Sequence, residues 1–330
     1  MRLFVANSIS AIVTAYDRID QTLATLRVIQ DCVPAPNEIL VHVDGNQVEC
    51  EKAISEAFEG VRILRTQEQI GPGGGRNKLV EAAQHEFVAS FDDDSYPIDS
   101  NYFARALTTF EQFPEASVVC AALYHVGEAI SLDQRRAQWT ADFSGGACIY
   151  RRKAFLEAGG YVPLPVAYGM EEVDFAIRLH ARGGKILTTS WLRIFHNTNL
   201  QRHADPRVTA GSIANLALLA YLRYPVSLWG IGVGQCAKRL LWLLRHGRRR
   251  GILKGMTMIP AHLRANRGYR LPVSGTALRS YLALRRAPVT AELGCGRAVS
   301  SERGSTMRCR ERFIASVCST NCLLTYGSRA

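Results

Sequence analysis

The sequence predicts an α/β fold, in which a mostly parallel sheet is flanked by helices, followed by a helical and basic C-terminal region. Three observations lead to this prediction. Over the first 200 residues, short apolar segments alternate with segments whose apolar residues recur at helical spacing. Acidic residues follow several apolar segments, as expected at the carboxyl ends of parallel strands, where ligands bind. The balance of charge changes sign near residue 200.

The charge is distributed unevenly along the 330 residues. Residues 1–200 carry 18 Lys and Arg against 25 Asp and Glu, whereas residues 201–330 carry 22 against 4. Such asymmetry indicates regions with different partners. We predict a ligand-binding domain over 1–205, a basic helical region over 206–290 that contacts an anionic surface, and an irregular, disordered tail over 291–330.

Cysteine usage and hydropathy bound the cellular setting. The nine cysteines form no CxxC pair, and their spacing lacks the histidine partners of a zinc site. The N-terminus has no long apolar segment typical of a secretory signal, and we expect reduced thiols in a cytosol. No run of about 18 uninterrupted apolar residues predicts a membrane-spanning helix.

The first elements follow one another in a regular order. Residues 9–15 form an apolar run typical of a buried strand, and residues 19–31 carry apolar side chains at helical spacing. Pro34 prevents that helix from continuing. Residues 38–43 predict a second strand, which ends in a turn at 44–46.

The later elements continue the alternation. Glycines crowd residues 71–75 and predict a loop before a helix at 77–84. Gly159 and Gly160 are a usual helix stop. The remaining helices are predicted at 48–58, 101–113, 152–158 and from 171 onward, and the remaining strands at 61–64, 87–91, 117–123, just after 147, and 185–190.

Three consecutive aspartates, Asp92, Asp93 and Asp94, end the apolar run at 87–91. Clustered carboxylates repel one another and lose hydration on burial. A divalent cation such as Mn²⁺ or Mg²⁺ would offset that cost and could hold substrate phosphates. On this motif alone, an acidic loop or a helix N-cap remains the alternative. Asp44 also follows a predicted strand, so we expect it to share a cleft with the aspartates.

Taken in order, these features resemble family 2 glycosyltransferases, which have the A-type nucleotide-sugar fold, and most of all the rhamnosyltransferase-like members. The resemblance covers roughly residues 8–200. Val43 stands where the family has a first aspartate, and Glu171 precedes Glu172 where the family has Glu-Asp. Five signatures carry the resemblance: Thr14–Arg18, Val43–Asn46, the glycine loop to Arg76-Asn77, the DxD-like Asp92-Asp93-Asp94, and Glu171–Phe175, which is similar to the "ED" motif.

The resemblance implies an inverting, metal-dependent glycosyltransferase of polysaccharide biosynthesis. Asp92 and Asp94, joined by His196, would hold Mn²⁺ or Mg²⁺ against the donor diphosphate. Glu172, or Glu171 beside it, would be the general base. Asp174 would orient the helix or touch the acceptor.

The resemblance also implies donor and acceptor contacts. Arg76 would pair with a phosphate that the glycines let approach. Sugar rings of the acceptor would approach the backbone at Gly145, Gly146 and Ala147. The donor would be bound by Ala15, Tyr16, Arg18, Asp44, Arg76, Asn77, Asp92 and Asp93.

Residues 234–250 have the pattern of an interfacial helix. Six apolar side chains fill one arc, and Lys238, Arg239 and Arg245 lie on the other, with Trp242 at the edge. Basic residues beside anionic headgroups would strengthen docking. We therefore predict a cytoplasmic protein associated with the inner face of the cell membrane and acting on a glycan or lipid-linked acceptor. A basic face packed on the catalytic domain is the alternative. The apolar arc comprises Cys236, Ala237, Leu240, Leu241, Leu243 and Leu244.

Two other functions are considered. A sugar-phosphate nucleotidyltransferase would need a glycine-rich basic loop after its first strand, and Thr14–Arg18 does not supply one. A nucleic-acid-binding protein could be built around residues 238–286, but no zinc-finger, homeodomain or RNA-recognition motif occurs there. The acidic first half would also repel phosphates, so we predict no nucleic-acid partner.

Overall fold

The computed structural model describes residues 8–131, 136–164, 166, 170–197 and 205–291. All strands of these residues lie in one sheet. Its order is β10 (Val289–Thr290), β7 (Ala137–Thr140), β9 (Lys185–His196), β6 (Ala116–His125), β8 (Ala147–Arg151), β4 (Phe87–Asp92), β1 (Ile9–Ala15), β2 (Glu38–Val43) and β3 (Arg62–Arg65), with the short β5 (Ser95–Pro97) paired to β9. The predicted tail lies outside the described residues from residue 292 onward. The same is true of its cysteines, Cys295, Cys309, Cys318 and Cys322.

One half of the sheet is parallel. β1 pairs with β2 and β4, and β2 pairs with β3, all in parallel. The helices between these strands cross from the end of one strand to the start of the next. The elements are β1 (Ile9–Ala15), α1 (Ile19–Gln30), β2 (Glu38–Val43), α2 (Val48–Ala57), β3 (Arg62–Arg65), α3 (Gly71–Ala82) and β4 (Phe87–Asp92).

The other half of the sheet mixes both directions. β6 and β9 are parallel, whereas β8 runs antiparallel between β4 and β6. The predicted α/β class is therefore confirmed. The sheet is mixed rather than mostly parallel, because β8 runs antiparallel to both neighbours, β5 and β7 pair antiparallel with β9, and β10 pairs antiparallel with β7. The elements are β5 (Ser95–Pro97), α4 (Tyr102–Gln112), β6 (Ala116–His125), β7 (Ala137–Thr140), β8 (Ala147–Arg151), α5 (Arg152–Glu157), α6 (Glu171–Ala181) and β9 (Lys185–His196).

The two faces of the sheet carry separate apolar cores. Alternate residues of β1 point to opposite faces, as strand geometry requires. Ile12 joins the core formed with α3, α6 and α7, whereas Ala11 and Val13 join the core formed with α1, α2 and α4. The same alternation on β4 sends Ser90 and Asp92 towards α3, while the carboxylate of Asp93, directly after the strand, pairs with Arg18 at the start of α1.

The predicted glycine loop is wrong, because Gly71–Gly75 form the first turns of α3. Close packing explains the glycines. A Cβ on Gly75 would lie 2.5 Å from Nδ1 of the buried His42, and one on Gly73 would overlap the carboxylate of Glu171. The missing side chains let α3 lie against β2 and α6. The glycines do indicate a structural constraint, but that constraint is the close approach of α3 to the sheet and not a loop.

The C-terminal helices pack on the sheet layer. α8 and α9 lie on α7, while α10 lies on α6. β10 then joins the sheet at β7. Asp205 caps α7 by accepting a hydrogen bond from the Arg207 amide. The division of the chain near residue 205 remains a prediction. The elements are α7 (Pro206–Arg223), α8 (Trp229–Arg245), α9 (Ile252–Ala265), α10 (Gly275–Arg286) and β10 (Val289–Thr290).

The predicted orientation of the basic helix is corrected at Arg239. This side chain is buried, donates to Ser212 Oγ on α7 and lies over the Trp242 ring. Leu241 and Leu244, predicted on the apolar arc, are exposed. Periodicity alone does not say which arc faces the protein. No helix in the described part of the chain is both long and apolar enough to cross a membrane.

Replacing Gly75 with alanine tests the close packing of α3. We expect Gly75→Ala to lower the free energy of unfolding by about 1–3 kcal/mol, because the new methyl group overlaps a buried ring. Gly234→Ala is the matched control, since Gly234 is also helical and has nothing within 4 Å of its Cβ position. The control should be within about 1 kcal/mol of the wild type in urea unfolding. Equal stability of both variants would contradict the packing argument.

Candidate functional site

Three predicted ligands meet where β4 and β9 end. One ligand atom from each of Asp92, Asp94 and His196 lies within 4.8 Å of the others. His196 Nε2 is 3.1 Å from Asp94 Oδ1, and the Asn197 amide donates to the Asp94 carbonyl at 2.8 Å. β9 runs past the predicted Ser190 to His196, and this extension brings the imidazole to the aspartates. Two carboxylates and an imidazole fit a divalent cation such as Mn²⁺.

Arg18 neutralises the aspartates from the other side. Its guanidinium forms ion pairs with both Asp93 and Asp94. Burial raises the pKa of Asp94, but the hydrogen bond with His196 and the charge of Arg18 outweigh burial, so that pKa lies below its usual value. Arg18 was predicted to bind the donor, and in the structure its guanidinium lies between the two aspartates. Asp93 is bound by Arg18 and lies outside the ligand cluster.

Arg76 is buried and binds three groups of the protein, so its predicted contact with a phosphate is corrected. Nε donates to Ser90 Oγ at 3.2 Å, and Nη1 donates to Glu171 at 2.9 Å. The remaining terminal nitrogen, Nη2, forms an ion pair with Asp92. Because α3 begins earlier than predicted, this side chain points into the protein. Arg76 therefore holds Asp92, a candidate metal ligand, in a fixed position relative to α6. All three nitrogens of its guanidinium are bound by protein groups.

Asp44, predicted to bind the donor, caps α3 in the structure. Its two carboxylate oxygens accept hydrogen bonds from the amides of Ile70 and Gly71, at 2.8 and 2.9 Å. The carboxylate is buried. A carboxylate at a helix N-terminus satisfies free amides and complements the helix dipole. Asp44 thus fixes the start of the helix that carries Arg76.

The other predicted donor residues differ in exposure. Asn77 is half-buried and exchanges two hydrogen bonds with the backbone of Tyr161, so it secures that segment rather than a ligand. Ala15 is buried and its carbonyl accepts from the Asp44 amide. Tyr16, which follows β1, is 40% exposed. Of these three, Tyr16 alone presents a side chain to a ligand.

The turn before β8 contacts both Asp92, a candidate metal ligand, and Glu172 on the first turn of α6. Gly145 and Gly146 are buried. A Cβ on Gly146 would overlap the carboxylate of Asp92, and one on Gly145 would lie 3.1 Å from Arg76 Cζ. Ala147 is fully buried in β8. The predicted contact of this turn with an acceptor is therefore corrected: the glycines make room for charged side chains of the protein.

Glu171 and Glu172 have different surroundings on the first turn of α6. Glu171 is buried and paired with Arg76. Glu172 is half-buried and accepts a hydrogen bond from the Gly145 amide at 3.3 Å. Burial raises the pKa of both carboxyls. Glu172 is thus the better candidate for a proton acceptor, because it is the more accessible and Glu171 already neutralises an arginine.

Asp174, predicted to orient the helix or to touch the acceptor, has the first of these two positions and does not reach the site. Its carboxylate is fully buried and binds two arginines, Arg178 on the same helix and Arg223 on α7. Arg223 also donates to the Tyr269 carbonyl at 2.8 Å. Asp174 therefore fastens the catalytic helix to the C-terminal helices.

His125 is a residue that the sequence analysis missed. It lies opposite His196 in the pairing of β6 with β9, and the ring centroids are 5.4 Å apart. Its Nδ1 lies 3.3 Å from a carboxylate oxygen of Glu128. Nε2 of this buried ring has no hydrogen-bond partner among the described residues. His125 lies 71 positions before His196, and the two are neighbours only because β6 pairs with β9. Finding it would have required knowledge of this strand pairing.

Part of the chain matches a known protein family. The sequence model described as glycosyl transferase family 2 matches residues 10–159, a segment that holds the Asp-Asp-Asp motif and the glycine turn. This segment therefore has the sequence pattern of the family 2 glycosyltransferases. A comparison with curated protein sequences finds no significant match.

Two solved structures resemble this chain in fold. The first is the mannosyltransferase PcManGT from Pyrobaculum calidifontis in complex with GDP-Man and Mn²⁺, at 13% identity and TM-score 0.52, covering 83% of this chain and 78% of that one. The second is GalNAc-T7 with UDP, GalNAc and Mn²⁺, at 12% identity and TM-score 0.51, covering 66% of this chain. The chain spans about half the length of the GalNAc-T7 chain, 48%. These likenesses show the shared A-type fold.

Replacing Asp174 tests the buried link between α6 and α7. We expect Asp174→Asn to lower the free energy of unfolding by about 3–5 kcal/mol, because it leaves two buried guanidinium groups without their counter-charge. Glu157→Gln is the matched control, since Glu157 forms an exposed pair with Lys153 at the same four-residue spacing. The control should cost about 0.5 kcal/mol or less. A loss in Asp174→Asn as small as in the control would show that the pair contributes little.

Proposed function

We propose that this protein is an inverting, metal-dependent glycosyltransferase that moves a sugar from a nucleotide-sugar donor to a hydroxyl group of a glycan or lipid-linked acceptor. One observation carries the proposal. The metal ligand Asp92 packs on Gly146, and the half-buried carboxylate of Glu172 is bound by the adjacent Gly145. A cation site and a candidate base therefore lie on two neighbouring residues of one turn.

The donor class is supported by the family and by the two structural neighbours. Their structures hold GDP-Man with Mn²⁺, and UDP with GalNAc and Mn²⁺. We propose that this chain likewise uses a nucleoside-diphosphate sugar. Tyr16, exposed at the carboxyl end of β1, offers a flat ring to the nucleoside.

The metal would be Mn²⁺ or Mg²⁺, held by Asp92, Asp94 and His196. When bound, such an ion neutralises the diphosphate as it leaves. The protein prepares the ligands before binding. Arg76 fixes Asp92 from one side, while Arg18 compensates the charge of Asp94 from the other. These arginines reduce the repulsion of the carboxylates, which would otherwise be costly to hold together.

Glu172 would act as the general base. Its pKa is raised by burial, which makes it a better proton acceptor than an exposed carboxylate at neutral pH. The acceptor hydroxyl gives its proton to Glu172, and its oxygen bonds to the anomeric carbon as the bond from that carbon to the diphosphate oxygen breaks. Attack opposite the nucleotide inverts the anomeric centre. The hydrogen bond from the Gly145 amide orients the carboxylate.

The acceptor and the location are proposed together. A glycan or lipid-linked acceptor would be met in polysaccharide biosynthesis for the cell envelope. We propose that the protein works at the cytoplasmic face of the cell membrane. The basic charge of residues 205–291 supports this proposal, because that surface attracts anionic headgroups.

Metal dependence is tested by Asp94→Asn and by chelation. We expect nucleotide release from one member of a panel of UDP-, GDP- and dTDP-sugars, supplied with Mn²⁺ and a mixed glycan and lipid acceptor fraction. EDTA and Asp94→Asn should each reduce the rate by a factor of about 10² or more, since the leaving diphosphate loses its counter-charge. Asp31→Asn, at an exposed aspartate, should leave the rate unchanged. Turnover that survives both EDTA and Asp94→Asn would exclude this metal site.

The base is tested separately by Glu172→Gln. We expect kcat for transfer to fall by a factor of about 10²–10⁴, because the amide cannot take the proton of the hydroxyl. Mn²⁺ affinity and the KM for the donor should remain near the wild-type values, since Glu172 is not a ligand of either. Glu157→Gln serves as the control for the same chemical change on the surface. Wild-type kcat in Glu172→Gln would assign the base elsewhere.

A further inference from the structure

An apolar strip faces solvent along α8, where a surface helix normally carries polar side chains. The helix packs on α7 through its other side, at Gly232, Gln235, Arg239 and Leu243. Val233 is 69% exposed and Leu241 is 52% exposed. With Trp229, Ala237 and Leu244 they lie within one arc of the helix, at steps of three, four and seven residues. We call these five residues the α8 strip.

Exposed apolar side chains also follow the turn at 246–251 that connects α8 to α9. Leu253 is 76% exposed and Met256 is 47% exposed. α9 packs on α7 at Gly255, where a Cβ would lie 2.8 Å from the Ala210 carbonyl oxygen. That contact fixes which side of α9 is buried. It leaves Leu253 and Met256 outside the interface.

Basic residues border the strip. Lys238 and Arg245 are exposed at its edge on α8, and Arg249 and Arg250 are exposed in the turn. Asp205 is the only acidic residue in the sequence from 205 to 291, against 15 Lys and Arg. The basic residues at the border of the strip therefore have almost no acidic residues near them in this part of the sequence. An apolar strip with a basic border is the pattern of a helix lying in a membrane interface.

We infer that the α8 strip, together with the turn at 246–251 and the start of α9, docks on the surface of an anionic lipid bilayer, an inference that rests on the membrane location proposed above. The apolar side chains would enter the headgroup region, and the basic residues would meet the lipid phosphates. A second copy of the chain fits less well, since pairing of identical faces would bring like charges together. Nucleic acid would satisfy the arginines but would offer the exposed Val233 and Leu241 no apolar partner.

The docked surface is mechanically connected to the site. α7 carries α8 and α9 on one side, and its Arg223 is bonded to Asp174 of the catalytic helix α6. Binding to a bilayer would therefore hold the cleft at a constant height and orientation over the membrane. An acceptor that is itself anchored in the bilayer would then be presented from a fixed direction.

The test measures co-sedimentation of the full chain with vesicles, so it is independent of sugar transfer. We expect wild-type protein to bind phosphatidylcholine vesicles that contain phosphatidylglycerol. Val233→Ser/Leu241→Ser should weaken this partitioning by about tenfold or more, because the inserted apolar groups are lost. Val48→Ser/Leu156→Ser is the matched control, since both residues are exposed on the catalytic domain. It should bind as the wild type does.

The charge contribution is tested with Arg249→Gln/Arg250→Gln, which should weaken binding by about fivefold per residue at low salt. Vesicles of phosphatidylcholine alone should bind weakly. Equal binding by wild type and Val233→Ser/Leu241→Ser would overturn the inference. So would wild-type protein that ignores the vesicles but forms an oligomer, measured by light scattering, that the same double substitution dissociates. Binding to DNA without binding to vesicles would also overturn it.

Discussion

The site depends on the compensation of clustered carboxylates by two arginines. Asp92, Asp94 and Glu171 lie at one edge of the sheet, where burial and mutual repulsion would disfavour their charged forms. Arg76 bridges Asp92 to Glu171, and Arg18 covers Asp94. Each guanidinium joins elements distant in sequence, so the same contacts that make the charges tolerable also align β4 with α3, α6 and the start of α1.

Close packing then determines the shape around these charges. Glycines at 73, 75, 145 and 146 stand where a methyl group would touch a charged or aromatic side chain of the site region. Asp44 adds a second constraint by capping α3. The result is a rigid frame in which few side chains remain available to a ligand. Tyr16 is exposed, and Arg18, Asp92, Glu172 and His196 are half-buried.

The sequence predicted the helices and strands well, but it predicted poorly which side chains contact one another. The bounds of β1 and β2 agree with the apolar runs, and Asp92, Asp94 and His196 meet as expected because they follow strands of one sheet. Arg76 was misassigned because glycines signal either a flexible loop or a close contact, and composition does not separate the two. The pairing of Asp174 with Arg223 was not predicted, because these two residues lie 49 positions apart. For α8, the helical period identified two arcs but not which arc the protein covers.

The ion pair between Asp174 on α6 and Arg223 on α7 joins the acidic and basic parts of the chain, although their compositions differ sharply. A shortened chain ending near residue 205 would lose Arg223, the edge strand β10, and the bonds that Tyr281 and Arg285 make to Asp142. Chimeras that exchange the C-terminal helices between related enzymes would need to carry the partner of Asp174 with them. The natural unit for transplantation therefore extends to β10 rather than to the change of charge.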